Sequence, residues 1–148
     1  MRKITVFVLI SVACLLVSSA ALAQQRQKVF VADVKGLPIK RNLELTQVLK
    51  SELNRVGGVE RVELPEWSQF VLQVTASETE KRGLSGILEG SLLRIEGKLV
   101  DRRDGSTAFS GFAETKNSPA GVVVSLKGAP RRAAIDLIRQ IMKQQNWK

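Results

Sequence analysis

Between residues 28 and 144 the spacing of apolar positions changes several times, and each change marks an element. Lys28–Val34 (KVFVADV) is apolar on both faces and rich in β-branched residues, which predicts an interior strand covered on both sides. Gly36-Leu37-Pro38 breaks it. Leu45, Val48, Leu49, Leu53 and Val56 then fall on one helical stripe, which predicts an amphipathic helix over Leu43–Val56, with Asn42 as N-cap and Gly57-Gly58 as a left-handed C-terminal cap. Val59–Leu64 (VERVEL) alternates, a short strand that Pro65 stops.

Three more strands follow. In Gln69–Ala76, Phe70, Leu72, Val74 and Ala76 share a face opposite Gln69, Gln73 and Thr75. In Leu92–Asp101 the inward set is Leu93, Ile95, Gly97 and Leu99, with Arg94, Glu96 and Lys98 in water. Arg102-Arg103-Asp104-Gly105 predicts a tight turn, Gly105 supplying positive φ, into a strand over Thr107–Lys116. These last two strands form an antiparallel hairpin. A final helix from Pro130 to Gln144 buries Ala134, Leu137, Ile138 and Ile141 and turns Arg131, Arg132, Arg139 and Lys143 outward. Met142 and Trp147 close the core or fray.

The order is β-α-β-β-β-β-α, an α/β (α+β) domain with an open mixed sheet and two helices packed on one face. The first crossover should be right-handed and make its flanking strands parallel. The expected core is Phe30, Leu49, Leu53, Leu72, Val74, Leu93, Ile95, Leu99, Phe112, Leu137, Ile138 and Ile141. Two connections look too long for simple hairpins: Ser77–Leu88 (SETEKRGLSGIL) and Asn117–Ala129 (NSPAGVVVSLKGA). Val122-Val123-Val124 in the second either adds an edge strand or forms an adhesive site.

Upstream of the domain, Arg2 and Lys3 precede the apolar run Ile4–Val17, and Ser18–Ala23 ends in Ala21-Leu22-Ala23. That order of basic, apolar and small residues is a signal peptide over residues 1–23, cleaved after Ala23, with a tail at 24–27 and a single domain at 28–148. The alternative is an uncleaved anchor, since Ile4–Ala23 is about as long as a membrane span. A lipid attachment at Cys14, after Ser11-Val12-Ala13, would leave the apolar Leu15–Val17 just past the lipid.

An exported, periplasmic location, with peripheral contact to a membrane left open, changes how the rest is read. The sole cysteine leaves with the leader, so the mature domain relies on packing rather than disulfides. The chain has no histidine and no tyrosine. It therefore lacks a side chain that titrates naturally near neutral pH, a triad base and an imidazole metal ligand. Thiolate nucleophiles and Zn–S sites are excluded as well. No catalytic, cofactor-binding or metal-binding residue is assigned, and no cofactor is expected. The formal net charge of +9 would suggest nucleic acid in the cytoplasm. After export the available polyanions are lipopolysaccharide, cell-wall polymers and anionic lipid. The cationic residues are spread with no run longer than two, which also fits a solubilising surface.

Weak motifs add little. Gly83-Leu84-Ser85-Gly86 lacks the Gly-Lys-Ser/Thr of a phosphate loop. Trp67, after Pro65-Glu66, either stacks on a glycan or caps the sheet edge. Asp101 and Asp104 shape the turn and pair with its arginines.

The stretches KVFVADV, NLELTQVLKSELNRVGGVERVEL, SQFVLQVTASE and LLRIEGKLVDRRDGSTAFSGFAETK, followed by a terminal amphipathic helix, resemble a group of bacterial envelope proteins. The group includes the N-terminal domain of TolB, the curli secretion lipoprotein and the lipoproteins that activate penicillin-binding proteins. The cue is Leu99-Val100-Asp101, the Asp-Gly turn, then Phe109, Gly111 and Phe112. The resemblance implies the architecture above and a non-enzymatic assembly, scaffolding or activator role. A lipid-attachment motif as convincing as theirs is missing.

The sequence thus predicts a non-catalytic envelope module that docks on another envelope protein through a sheet edge or the long loops. The alternative partner is an anionic envelope polymer, and an enzyme ranks behind both. Candidate partner contacts are Leu84, Ile87, Val122, Val123 and Val124, with Arg102 and Arg103 as a basic rim. Partner identity, pathway and oligomeric state are not encoded in any motif.

Overall fold

The elements follow the order the periodicities predict: β1 (Gln27–Val31), α1 (Ile39–Leu53), β2 (Val59–Val62), a 3-10 turn (Pro65–Trp67), β3 (Phe70–Arg82), β4 (Leu88–Asp101), β5 (Thr107–Asn117) and α2 (Gly128–Gln145). The structure is a computed structural model that describes residues 26–82, 88–117 and 128–147. The sheet order is β2-β1-β3-β4-β5. β1 lies parallel to both β2 and β3, and β3, β4 and β5 form an antiparallel meander, so the sheet is mixed.

Strand alternation decides what is buried. Leu72, Val74 and Ala76 of β3, Leu93, Ile95 and Leu99 of β4, and Phe109 and Ala113 of β5 point to the helices. There they meet Leu45, Leu49 and Leu53 of α1 and Ala133, Ala134, Leu137, Ile138 and Ile141 of α2 in one core. Trp147 closes it at the lower end, its ring 6.2 Å from that of Phe70. Gly97 lets α2 approach: a Cβ there would lie 2.7 Å from Leu137 Cδ2.

The helices cover only one face, which corrects several expectations. β1 is interior to the sheet but not covered on both sides: Val29 and Val31 are buried, whereas Phe30, on the other face, is half-buried. Phe112 is 49% exposed for the same reason, and Phe109, of opposite parity, takes the core position. α1 starts a turn before Asn42. Pro38 occupies the N-cap, and the Asn42 side chain brackets Leu37 instead: Oδ1 accepts its N–H at 3.1 Å and Nδ2 donates to its carbonyl at 2.7 Å. The helix ends in a right-handed cap at Asn54, and the next two amides bond to Glu52 and Leu53 carbonyls, so no left-handed glycine is needed. Gly105 does take positive φ, at 72°.

Ser77–Leu88 is largely not a loop. The β3–β4 ladder continues through Lys81↔Gly90 to Arg82↔Leu88, forming an arm that runs past the end of β1. In β3 the residues Ser77–Glu80 are polar on both faces, so the apolar alternation stops although the ladder does not. Leu84 and Ile87 at its tip, and Val122, Val123 and Val124 before α2, lie outside the described residues.

Candidate docking face

The face turned away from the helices carries Gln73, Thr75 and Ser77 of β3, Arg94, Glu96 and Lys98 of β4, and Ser110, Phe112 and Glu114 of β5. Arg94 organises its centre. Its Nε donates to Glu96 Oε1 at 2.9 Å, its Nη1 donates to Glu114 Oε1 at 3.1 Å, and its guanidinium carbon stands 4.2 Å from the Phe112 ring centroid. A guanidinium stacked on an aromatic face and held by two carboxylates has little freedom, so Phe112 is presented on a fixed support. Toward the lower end, Phe30, Val71 and Val100 form a half-buried apolar row across three strands.

Next to that row the β2–β3 connection must cross β1, and it does so as a hydrogen-bonded platform. The Trp67 amide donates to the Leu64 carbonyl at 3.2 Å, and the Ser68 amide and hydroxyl both donate to the Pro65 carbonyl, at 3.1 and 2.7 Å. The Gln69 amide donates to Lys28 at 2.8 Å and its carbonyl accepts the Arg102 amide at 2.8 Å. This platform exposes Leu64 and Trp67, the latter 64% accessible. Trp67 therefore does not cap the sheet edge. The sequence reading missed Leu64, because an apolar residue ending a short strand looks like core. Burial alone reveals it.

Arg102 and Arg103 are engaged within the fold. Arg102 Nη1 donates to the Pro65 carbonyl, fastening the β4–β5 turn to the platform. Arg103 grips Asp101: Nη2 to Oδ2 at 2.7 Å, Nε to Oδ1 at 3.1 Å, and its amide to Oδ1 at 2.9 Å. These bonds hold the Asp101 carboxyl down to about 2 and raise Arg103 above its ordinary value. The Ser106 amide, at 2.8 Å, lowers Asp104. Arg102 is thus fixed to the Pro65–Gln69 connection that carries Trp67.

The sheet edges differ. β2 is four residues long and carries Glu60 and Arg61. β5 is eleven residues long, and its Ala108 and Phe112 carbonyls accept side-chain N–H groups from Gln145 and Gln140 of α2, each at 2.9 Å. Between the helices a groove of about 620 Å³ is lined in part by Val48, Pro130 and Glu52, whose carboxylate takes Arg55 and Arg131, each at 2.9 Å. Among the described residues no group of three or more His, Cys, Asp or Glu is placed to hold a metal, and no helix is long and apolar enough to cross a membrane.

No protein-family model matches the chain, and no curated protein matches its sequence. Solved structures share its fold. The PelC dodecamer from Paraburkholderia phytofirmans is 16% identical with a TM-score of 0.57, over 79% of this chain and 89% of that one. Lipoprotein GNA1162 from Neisseria meningitidis is 12% identical with a TM-score of 0.52, over 81% of this chain and 98% of that one. TolB from Acinetobacter baumannii is 14% identical with a TM-score of 0.52, over 82% of this chain and 28% of its own length. The resemblance to TolB and to envelope lipoproteins holds as a shared fold, which by itself assigns no activity.

Proposed function

We propose that this chain is an exported, non-catalytic module of the bacterial cell envelope that docks on another envelope protein through the helix-free face of its sheet and the adjoining Leu64–Trp67 platform. The observation that carries the reading is the exposure of Trp67 on a hydrogen-bonded backbone turn and of Phe112 against the ion-paired Arg94. Aromatic side chains have few rotatable bonds to immobilise on binding, and such residues dominate protein interfaces. The leader-like residues 1–23 and the fold shared with a lipoprotein support an envelope location. PelC, of the same fold, assembles as a dodecamer, so assembly parts exist on this architecture.

The test is capture from envelope extract on immobilised residues 24–148, at low and high salt, with wild type and Trp67→Ser/Phe112→Ser. Both changes are at exposed positions, so the variant keeps its thermal midpoint. Docking through this face predicts a defined protein retained at high salt and reduced about tenfold by the variant. Capture that disappears with salt and ignores the substitutions would instead favour an anionic envelope polymer.

A further inference from the structure

Among the described residues β5 is an edge strand eleven residues long, and proteins usually blunt such edges with proline, charge, shortness or a covering element. β5 has no proline. Its Ala108, Phe112 and Lys116 carbonyls, four residues apart, each accept a donor from α2: Gln145 Nε2 at 2.9 Å, Gln140 Nε2 at 2.9 Å and Arg132 Nη2 at 3.5 Å. In a strand the N–H and C=O of one residue point to the same side and successive residues alternate. The three bonds therefore identify the even-numbered residues as those facing out of the sheet, with Ser110 and Glu114 between the capped carbonyls. α2 runs antiparallel beside the strand, so donors spaced along one helix face reach successive outward carbonyls. Gly111 gives Gln140 room to do so: a Cβ there would lie 2.9 Å from its Oε1.

We propose that β5 is a self-association edge held shut by Gln140 and Gln145, with Arg132 as a third, longer contact. The occupant it fits is β5 of a second copy. Antiparallel pairing about a two-fold axis at Phe112 sets Phe112 against Phe112, Ser110 against Glu114 and Ala108 against Lys116. No like charges meet, and the central pair is aromatic, a favourable cross-strand combination. Nothing in the side chains of β5 opposes this pairing. The opposition comes from α2, whose amides occupy carbonyls that the second strand would need.

Gln140→Met/Gln145→Met keeps side-chain length and removes both donors. The probe is a labelled peptide with the sequence of Thr107–Asn117. The variant should bind it at least about tenfold more tightly than wild type, the ratio expected when one or two competing hydrogen bonds are lost. In sedimentation its mass should shift toward twice that of wild type. Adding Ser110→Pro, which removes an outward N–H without breaking the β4–β5 ladder, should reverse both effects. Equal peptide affinity for folded wild type and folded variant would overturn the proposal. If the double variant loses its helical signal, Gln140→Met alone carries the same comparison, because Gln145 still ties down the last turn.

Discussion

Asp101, the last residue of β4, shows how much one side chain sets the lower end of the sheet. Its carboxylate accepts three N–H groups from Arg103, and this, more than any other influence, keeps its pKa at about 2 against 3.8 for an ordinary aspartate. A carboxyl whose pKa is depressed by folding stabilises the folded state above its unfolded pKa, and that contribution is lost as pH falls through the folded value. Asp101→Asn should therefore lower the thermal midpoint at pH 7, and the gap from wild type should close between about pH 4 and pH 2. Thermal melts across that range check the sign. A gap that is constant with pH would mean that the charge of Asp101 contributes nothing to the turn. Arg102, one residue on, has a different task, since its side chain and amide fasten the same turn to the Pro65–Gln69 connection.

At the scale of elements, legibility followed burial. The buried stripe of α2 and the β4–β5 hairpin are readable because Leu137, Ile138 and Ile141, and then Leu93, Ile95 and Leu99, keep strict periods against one core. The start of α1 is not, because Ile39 and Leu43 are apolar yet 80% and 53% exposed, so hydrophobicity there reports no buried face. Phe112 misleads for the same reason, and the polar outer half of β3 hides a strand that its backbone ladder makes plain. The candidate face was legible only in part: Trp67 stands out by type, whereas the Arg94–Phe112 stack depends on a cross-strand register no local pattern encodes. The helix-on-sheet contact offers a sharp test. Gly97→Ala forces a methyl against Leu137, which is fully buried, and should cost about 1–3 kcal/mol as overpacking. Leu137→Ala should cost about 2–5 kcal/mol as a cavity. Because one change fills the space the other empties, the double variant should be more stable than the sum of the two losses implies, by at least about 0.5 kcal/mol in urea melts. Simple additivity would mean that α2 does not rest on Gly97.

At the scale of the molecule, ion pairs among the described residues are spread over the surface rather than gathered in one cluster. Arg41, Arg55, Arg61, Arg94, Arg103, Arg131 and Arg139 each lie within ion-pair distance of a carboxylate, on both helices, on strands and on the turn. The exposed ones among these, such as Arg94–Glu96 and Arg139–Asp136, contribute about 0–1 kcal/mol each, so they tune solubility and orientation more than stability. They also leave aromatic contacts as the better handle for a partner. The same layout bears on export. Among the described residues the first backbone bond into the sheet is the Gln27 amide to the Gly58 carbonyl, at 2.9 Å, four residues beyond the small-residue motif that ends at Ala23. Cleavage after Ala23 leaves every described ladder bond in the mature chain. N-terminal sequencing of the protein from the periplasmic fraction should begin at Gln24. Recovery only as a full-length, membrane-bound product would mean that Ile4–Ala23 stays as an anchor, and would place the domain at the membrane surface, tied to it through the few residues that precede β1.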